Sequence, residues 1–125
     1  MLSSIILPTS LKEIGVGCFE SCSSLKEINI PDSVNFLWDE CFVDCVSLTE
    51  ITIPSLITNI NAYCFSGCNL LSKINLPTTL KELSVKCFYN CKSLSEITIP
   101  KSVTYISKTS FNGCESLTNI IRNSF

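Results

Sequence analysis

The chain has 125 residues, with nine Lys+Arg, eleven Asp+Glu and no histidine, for a formal net charge of −2. That size allows one domain with a real core, and the charge leaves no basic footprint for a nucleic acid. Hydrophobic residues make up 46%, yet no run reaches the 18 or more apolar residues of a membrane span.

In chain order, the opening MLSSIILPTS lacks the basic n-region and long apolar h-region of a secretory leader. It reads as the end of a repeat, because Leu2, Ile5, Leu7 and Pro8 precede Leu25, Ile28, Ile30 and Pro31 by one constant offset. The same offset, a 23-residue period, runs through Pro8, Pro31, Pro54, Pro77 and Pro100, and through Phe19, Phe42, Phe65, Phe88 and Phe111. A fixed period of this length is the mark of a stacked solenoid. The expected organisation is one domain over 1–125: a partial repeat 1–7, units 8–30, 31–53, 54–76, 77–99 and 100–122, and a tail 123–125.

Within a unit, Leu25, Ile28 and Ile30 alternate with polar neighbours and predict a short strand with one buried face. Pro31 ends it and turns the chain. Val34 and Leu37 predict a second extended piece. Cys41, Phe42 and Cys45 lie three and four apart, which predicts a short helical or 3₁₀ turn opposite the strand. Stacking such coils makes ladders of like side chains, none of which a single coil could bury.

Nine cysteines fall in two columns: Cys18, Cys41, Cys64 and Cys87, then Cys22, Cys45, Cys68, Cys91 and Cys114. A residue that recurs once per coil is read as a small buried hydrophobe. Inter-coil disulfides stay open as the rival, since stacked backbones lie about 4.8 Å apart. Cys-x-x-x-Cys is a poor zinc knuckle. With no histidine there is no Cys–His, Ser–His or histidine–metal site, and four glycines form no phosphate loop. The expectation is a non-enzyme without catalytic residues, metal or cofactor. The absence of an Asn-x-Ser/Thr sequon, with the free-thiol reading, points to the cytoplasm.

The last unit departs from the pattern. Ser110 replaces the first cysteine, and Arg122 replaces the inward Ile or Leu of the strand. A charge there blunts a sheet edge, so the C-terminus is expected to be a true end. Leu2, Ile5, Ile6 and Leu7 carry no such device, and self-association through this open N-terminal edge is expected, or a boundary cut there.

The unit resembles the leucine-rich repeat of the BspA-like subfamily over essentially the whole chain. Cysteine in the usual alanine slot before the phenylalanine is similar to Entamoeba-type members, while Trp38, Asn61, Ser84 and Ser107 depart from the family's glycine, kept only at Gly15. The resemblance implies a right-handed, gently curved coil with a parallel β-sheet on the concave face. It also implies a binding role, either intracellular scaffolding or cell-surface adhesion.

In a repeat protein, function lies in the variable outward positions. On the strand face these include Glu27, Asn29, Glu50, Thr52, Lys73 and Asn75, a weakly acidic polar sheet. Phe36 and Trp38 flank inward Leu37 and are expected to point outward, joined by Tyr63 from the next coil, as a hot-spot patch for a protein partner. Ser33-Val34-Asn35-Phe36 resembles the Val-x-Phe motif that docks regulators on the protein phosphatase 1 catalytic subunit, although Asp32 stands where that motif has a basic residue and Val34 shares a core column with Leu11, Ile57, Leu80 and Val103. The leading reading is thus a cytoplasmic interaction scaffold and phosphatase regulator. The alternatives are a surface or secreted adhesin for host or matrix proteins, and a structural stack assembling end to end.

Overall fold

The computed structural model describes residues 3–122. Eleven short strands follow one another: β1 (Ser4–Ile5), β2 (Glu13–Ile14), β3 (Glu27–Ile28), β4 (Phe36–Leu37), β5 (Glu50–Thr52), β6 (Asn59–Ile60), β7 (Lys73–Asn75), β8 (Glu82–Leu83), β9 (Glu96–Ile99), β10 (Tyr105–Ile106) and β11 (Asn119–Arg122). Odd and even strands stack as two interrupted parallel ladders: hydrogen bonding pairs β1 with β3, β5 with β7 and β9 with β11 in the first, and β2 with β4 and β8 with both β6 and β10 in the second. In the first, Ile5 lies opposite Ile28, Ile51 opposite Ile74, and Ile97 opposite Ile120. In the second, Ile14 lies opposite Leu37, and Ile60 and Ile106 both lie opposite Leu83. Partners stand one sequence period apart, because a coil that neither gains nor loses a residue returns each side chain above its equivalent. Strands this short leave gaps; across the one between β3 and β5 the Thr49 N–H donates to the Lys26 carbonyl at 3.3 Å.

The core is a set of side-chain columns. Phe42, Phe65 and Phe88 are fully buried, and the rings from Phe19 to Phe111 stack in sequence with centroids 5.4, 5.2, 5.7 and 5.6 Å apart. Their planes differ by at most 14°, an arrangement dictated by the coil spacing. Burying each such ring contributes about 1.5–3 kcal/mol.

The Cys–Phe segment corrects one expectation. It is not a helical or 3₁₀ turn; among the described residues there is no helix. Instead two residues per turn are left-handed: Glu40 (φ 62°) and Asp44 (φ 57°) in one coil, Tyr63 (59°) and Gly67 (77°) in the next, then Lys86 (50°) and Asn90 (58°). This geometry aims alternate N–H groups at the neighbouring coil: Phe42 to the Cys64 carbonyl at 2.9 Å, Asp44 to Ser66 at 2.8 Å, Phe65 to Cys87 at 2.8 Å. The N–H of Cys45 closes its own turn on Phe42 at 3.2 Å. A continuing helix would point its N–H groups along its own axis rather than sideways at the neighbouring coil. The sequence signal was the column Ser21, Asp44, Gly67, Asn90 and Gly113, whose Asp, Asn and Gly are the residues that best tolerate φ > 0.

At the ends, Leu2 and the tail 123–125 lie outside the described residues. Ile6 is 97% exposed while Ile5 and Leu7 are half-buried. Arg122 holds the inward register opposite Ile99, but its side chain is exposed and donates to the Val103 carbonyl.

Candidate interaction surface

A strand's period of two forces the second ladder's geometry. Leu37 is wholly buried, so Phe36 and Trp38 on either side emerge, 36% and 43% exposed. Their rings meet edge-on, centroids 4.7 Å apart at 63°, a favoured aromatic geometry. The backbone N–H of Trp38 donates to the Ile14 carbonyl at 2.9 Å. Its indole Nε1–H donates to Glu13 Oε1 at 2.7 Å, an ionised acceptor that makes the stronger kind of hydrogen bond. Two apolar rings are thus held outward by a strand, by each other and by a carboxylate of the preceding coil. A pre-ordered aromatic pair loses little side-chain entropy on meeting a partner.

Tyr63 does not join them through any ring contact among the described residues. It sits in the left-handed turn layer, 38% exposed, with Lys86 Nζ 5.9 Å from its ring centre. The same ammonium lies 5.1 Å from the Tyr89 ring, so this aromatic already has a cation of its own chain. Val34 requires a correction: it is 0% exposed, locked in the core column, and cannot reach into a partner's pocket.

The strand-face residues Glu27, Asn29, Glu50, Thr52, Lys73 and Asn75 are all exposed. Lys73 lies opposite Glu50 in register, and Asn75 Nδ2 donates to Thr52 Oγ1 at 3.0 Å. Two depressions of about 630 and 570 Å³ run along this face and share Asn75. The face offers mainly polar groups, with exposed Ile6 lining the first depression beside Glu27 and Asn29.

All nine cysteines are free thiols, with Cys18 exposed and Cys22 and Cys114 half-buried. The second column is a hydrogen-bonded ladder in which each thiol after Cys22 donates to the phenylalanine carbonyl of the preceding coil: Cys45 to Phe19 at 3.1 Å, Cys68 to Phe42 at 3.2 Å, Cys91 to Phe65 at 3.2 Å, Cys114 to Phe88 at 3.0 Å. Burial, the leading cause, pushes Cys45 and Cys87 up to about 12 from an ordinary 9.0. Such groups are poor nucleophiles, because the thiolate is the reactive form. Among the described residues no three His, Cys, Asp or Glu side chains are placed to hold a metal ion, and no helix is long and apolar enough to cross a membrane.

Sequence reasoning missed Glu13 as the tether of Trp38. The signal was present: Glu13 stands one period before Phe36 and so lies directly beside it in register.

Comparison with known proteins follows the same architecture. The BspA type leucine-rich repeat region matches residues 1–123 in six copies, the number of rungs in the first ladder. A leucine rich cell surface protein from Faecalibacterium prausnitzii superposes with a TM-score of 0.95 and 31% identity, covering 98% of this chain and 32% of its own. A leucine-rich repeat protein from Bacteroides ovatus gives 0.90 and 34%, covering 94% and 33%. The T. pallidum leucine rich repeat protein gives 0.90 and 27%, covering 94% and 57%. The chain therefore spans about a third of the length of the first two. A comparison with curated protein sequences found no match. The 23-residue period, the two parallel ladders and these matches establish that the chain belongs to the BspA-type leucine-rich repeat family.

Proposed function

We propose that the chain is a non-catalytic protein-interaction module that docks its partner on the Phe36–Trp38 face. One observation carries this reading: two large aromatic side chains stand in solvent edge to edge, Trp38 pinned by Glu13, where every other coil, among the described residues, exposes at most one. Exposed, pre-ordered aromatics are the groups that dominate protein–protein affinity. The strand face is the second place to look: its residues are mostly polar, and its exposed apolar group in the first depression is a single aliphatic side chain, Ile6.

The proposed location is the cytoplasm, supported by thiols that serve as hydrogen-bond donors in the core, a role that disulfide formation would abolish. The alternative, a surface-exposed adhesin, draws on the cell-surface description of the F. prausnitzii protein. The narrower reading as a phosphatase 1 regulator is not carried further, because its motif needs Val34 outside the core.

The test is capture from the source cell's lysate with wild type beside a Phe36→Ala/Trp38→Ala double variant, the folds compared by circular dichroism. A protein retained by wild type and lost with the variant supports the docking face; equal capture by both sinks it. Separately, nine titratable thiols in unreduced, denatured protein support the cytoplasmic location, and fewer would favour the adhesin.

A further inference from the structure

The aromatic pair sits in the one coil that carries acidic residues and no basic one. Unit 31–53 carries Asp32, Asp39, Glu40, Asp44 and Glu50, nearly half of the chain's eleven acidic residues, and no lysine or arginine. Among the described residues none of these five carboxylates has an ion-pair partner. Asp39 and Glu40 directly follow Trp38, and Glu13 is already bound to its indole. Two coils further on the balance reverses: unit 77–99 holds Lys81, Lys86 and Lys92 against Glu82 and Glu96.

The molecule also shows how it treats a tyrosine in the basic region. Lys86 Nζ sits 5.9 Å from the Tyr63 ring centre and 5.1 Å from that of Tyr89. Tyr63 and Tyr89 thus have a cation from their own chain, while Phe36 and Trp38 have only each other and an acidic surround. An exposed indole followed at once in the chain by two carboxylates attracts a guanidinium or ammonium twice, through the ring quadrupole and through charge.

Resting on the docking face proposed above, we infer that its occupant is a basic segment of a partner protein, in which an arginine or lysine lies against Trp38 while Asp39 and Glu40 neutralise it. Phe36 packs the aliphatic stem of that side chain or its apolar neighbour. The acidic border steers the encounter, so binding weakens as salt rises.

Trp38 is the only tryptophan, so its emission reports on this face alone. The probes are eight-residue peptides without aromatic residues, alternating Arg–Ser, Lys–Ser or Glu–Ser. The key variant is Asp39→Lys/Glu40→Lys, chosen because the chain itself carries Lys108 and Lys86 at the equivalent positions of other coils, the latter at φ 50°. The expected result is saturable Trp38 quenching by the Arg and Lys peptides, about tenfold weaker in the variant and several-fold weaker in high salt. Equal response to the Glu peptide, or no change in the variant, overturns the inference. So does quenching that follows protein concentration alone with a doubled solution mass, which would make a second copy the occupant. Lysate capture with the same variants separates the two proposals. A partner lost with both Phe36→Ala/Trp38→Ala and Asp39→Lys/Glu40→Lys supports both, one lost only with the aromatic variant keeps the docking face and overturns the basic segment, and one lost with neither overturns both.

Discussion

Coils 31–53 and 77–99 share one interior and have opposed exteriors. Val34 and Leu80, Leu37 and Leu83, Cys41 and Cys87, Phe42 and Phe88, Cys45 and Cys91 are all buried at equivalent positions. Outside, the first coil presents two aromatics and five carboxylates, and the second presents three lysines, one of them laid across tyrosine rings. The lesson is that ladder positions are constrained by close packing above and below, whereas outward positions are free to vary from coil to coil. Most of the burial that stabilises the coil is therefore carried by residues other than those of its variable surface.

The largest expected effect breaks the shared interior. Phe42→Ala and Phe88→Ala should each cost about 3–5 kcal/mol in chemical denaturation, alike in both coils despite the opposite surfaces. A near-neutral result in one coil would mean that its phenylalanine is not part of a continuous stack.

The thiols give a comparison by pH. Unfolded thiols lose protons from about pH 9, whereas Cys45 and Cys87 keep theirs in the fold until about 12. Between these values the native state binds more protons, so stability falls as pH rises and is unaffected below pH 9. Cys45→Ala and Cys87→Ala should each flatten this decline relative to wild type. Parallel curves for wild type and variants would show that these thiols ionise alike in both states.

Glu13→Ala sharpens the exterior difference. Losing one exposed hydrogen bond to a charged group should cost about 1 kcal/mol or less. The indole, untethered, should show reduced near-ultraviolet dichroism and lower fluorescence anisotropy. An unchanged signal would mean that Phe36 and the strand hold Trp38 without the carboxylate.

The smallest effect compares the two left-handed positions Glu40 and Lys86. Glycine removes the steric cost of positive φ, about 1 kcal/mol, so Glu40→Gly should stabilise by roughly that amount. Lys86→Gly should gain less by about 0.5–1 kcal/mol, the value of its lost ring contacts. Equal gains would show that the ammonium–tyrosine contacts add nothing.

The repeat period, the inward columns and the ladder register followed from the sequence alone, because identical spacing obliges identical side chains to stack. The outward placement of Phe36 and Trp38 followed as well, from the alternation around Leu37. Three matters were decided by tertiary structure. Whether Cys41-Phe42-x-x-Cys45 formed a helix depended on where its N–H groups found acceptors, and for Phe42 that acceptor is Cys64, in the neighbouring coil. Whether Val34 of the Val-x-Phe tetrad could reach a partner depended on the coils above and below it, which enclose it. Whether Tyr63 belonged with Trp38 depended on Lys86, one period further along the chain, which lies against Tyr63's ring. A local pattern shows which side of a coil a residue faces; only the stacked neighbours determine what it meets there.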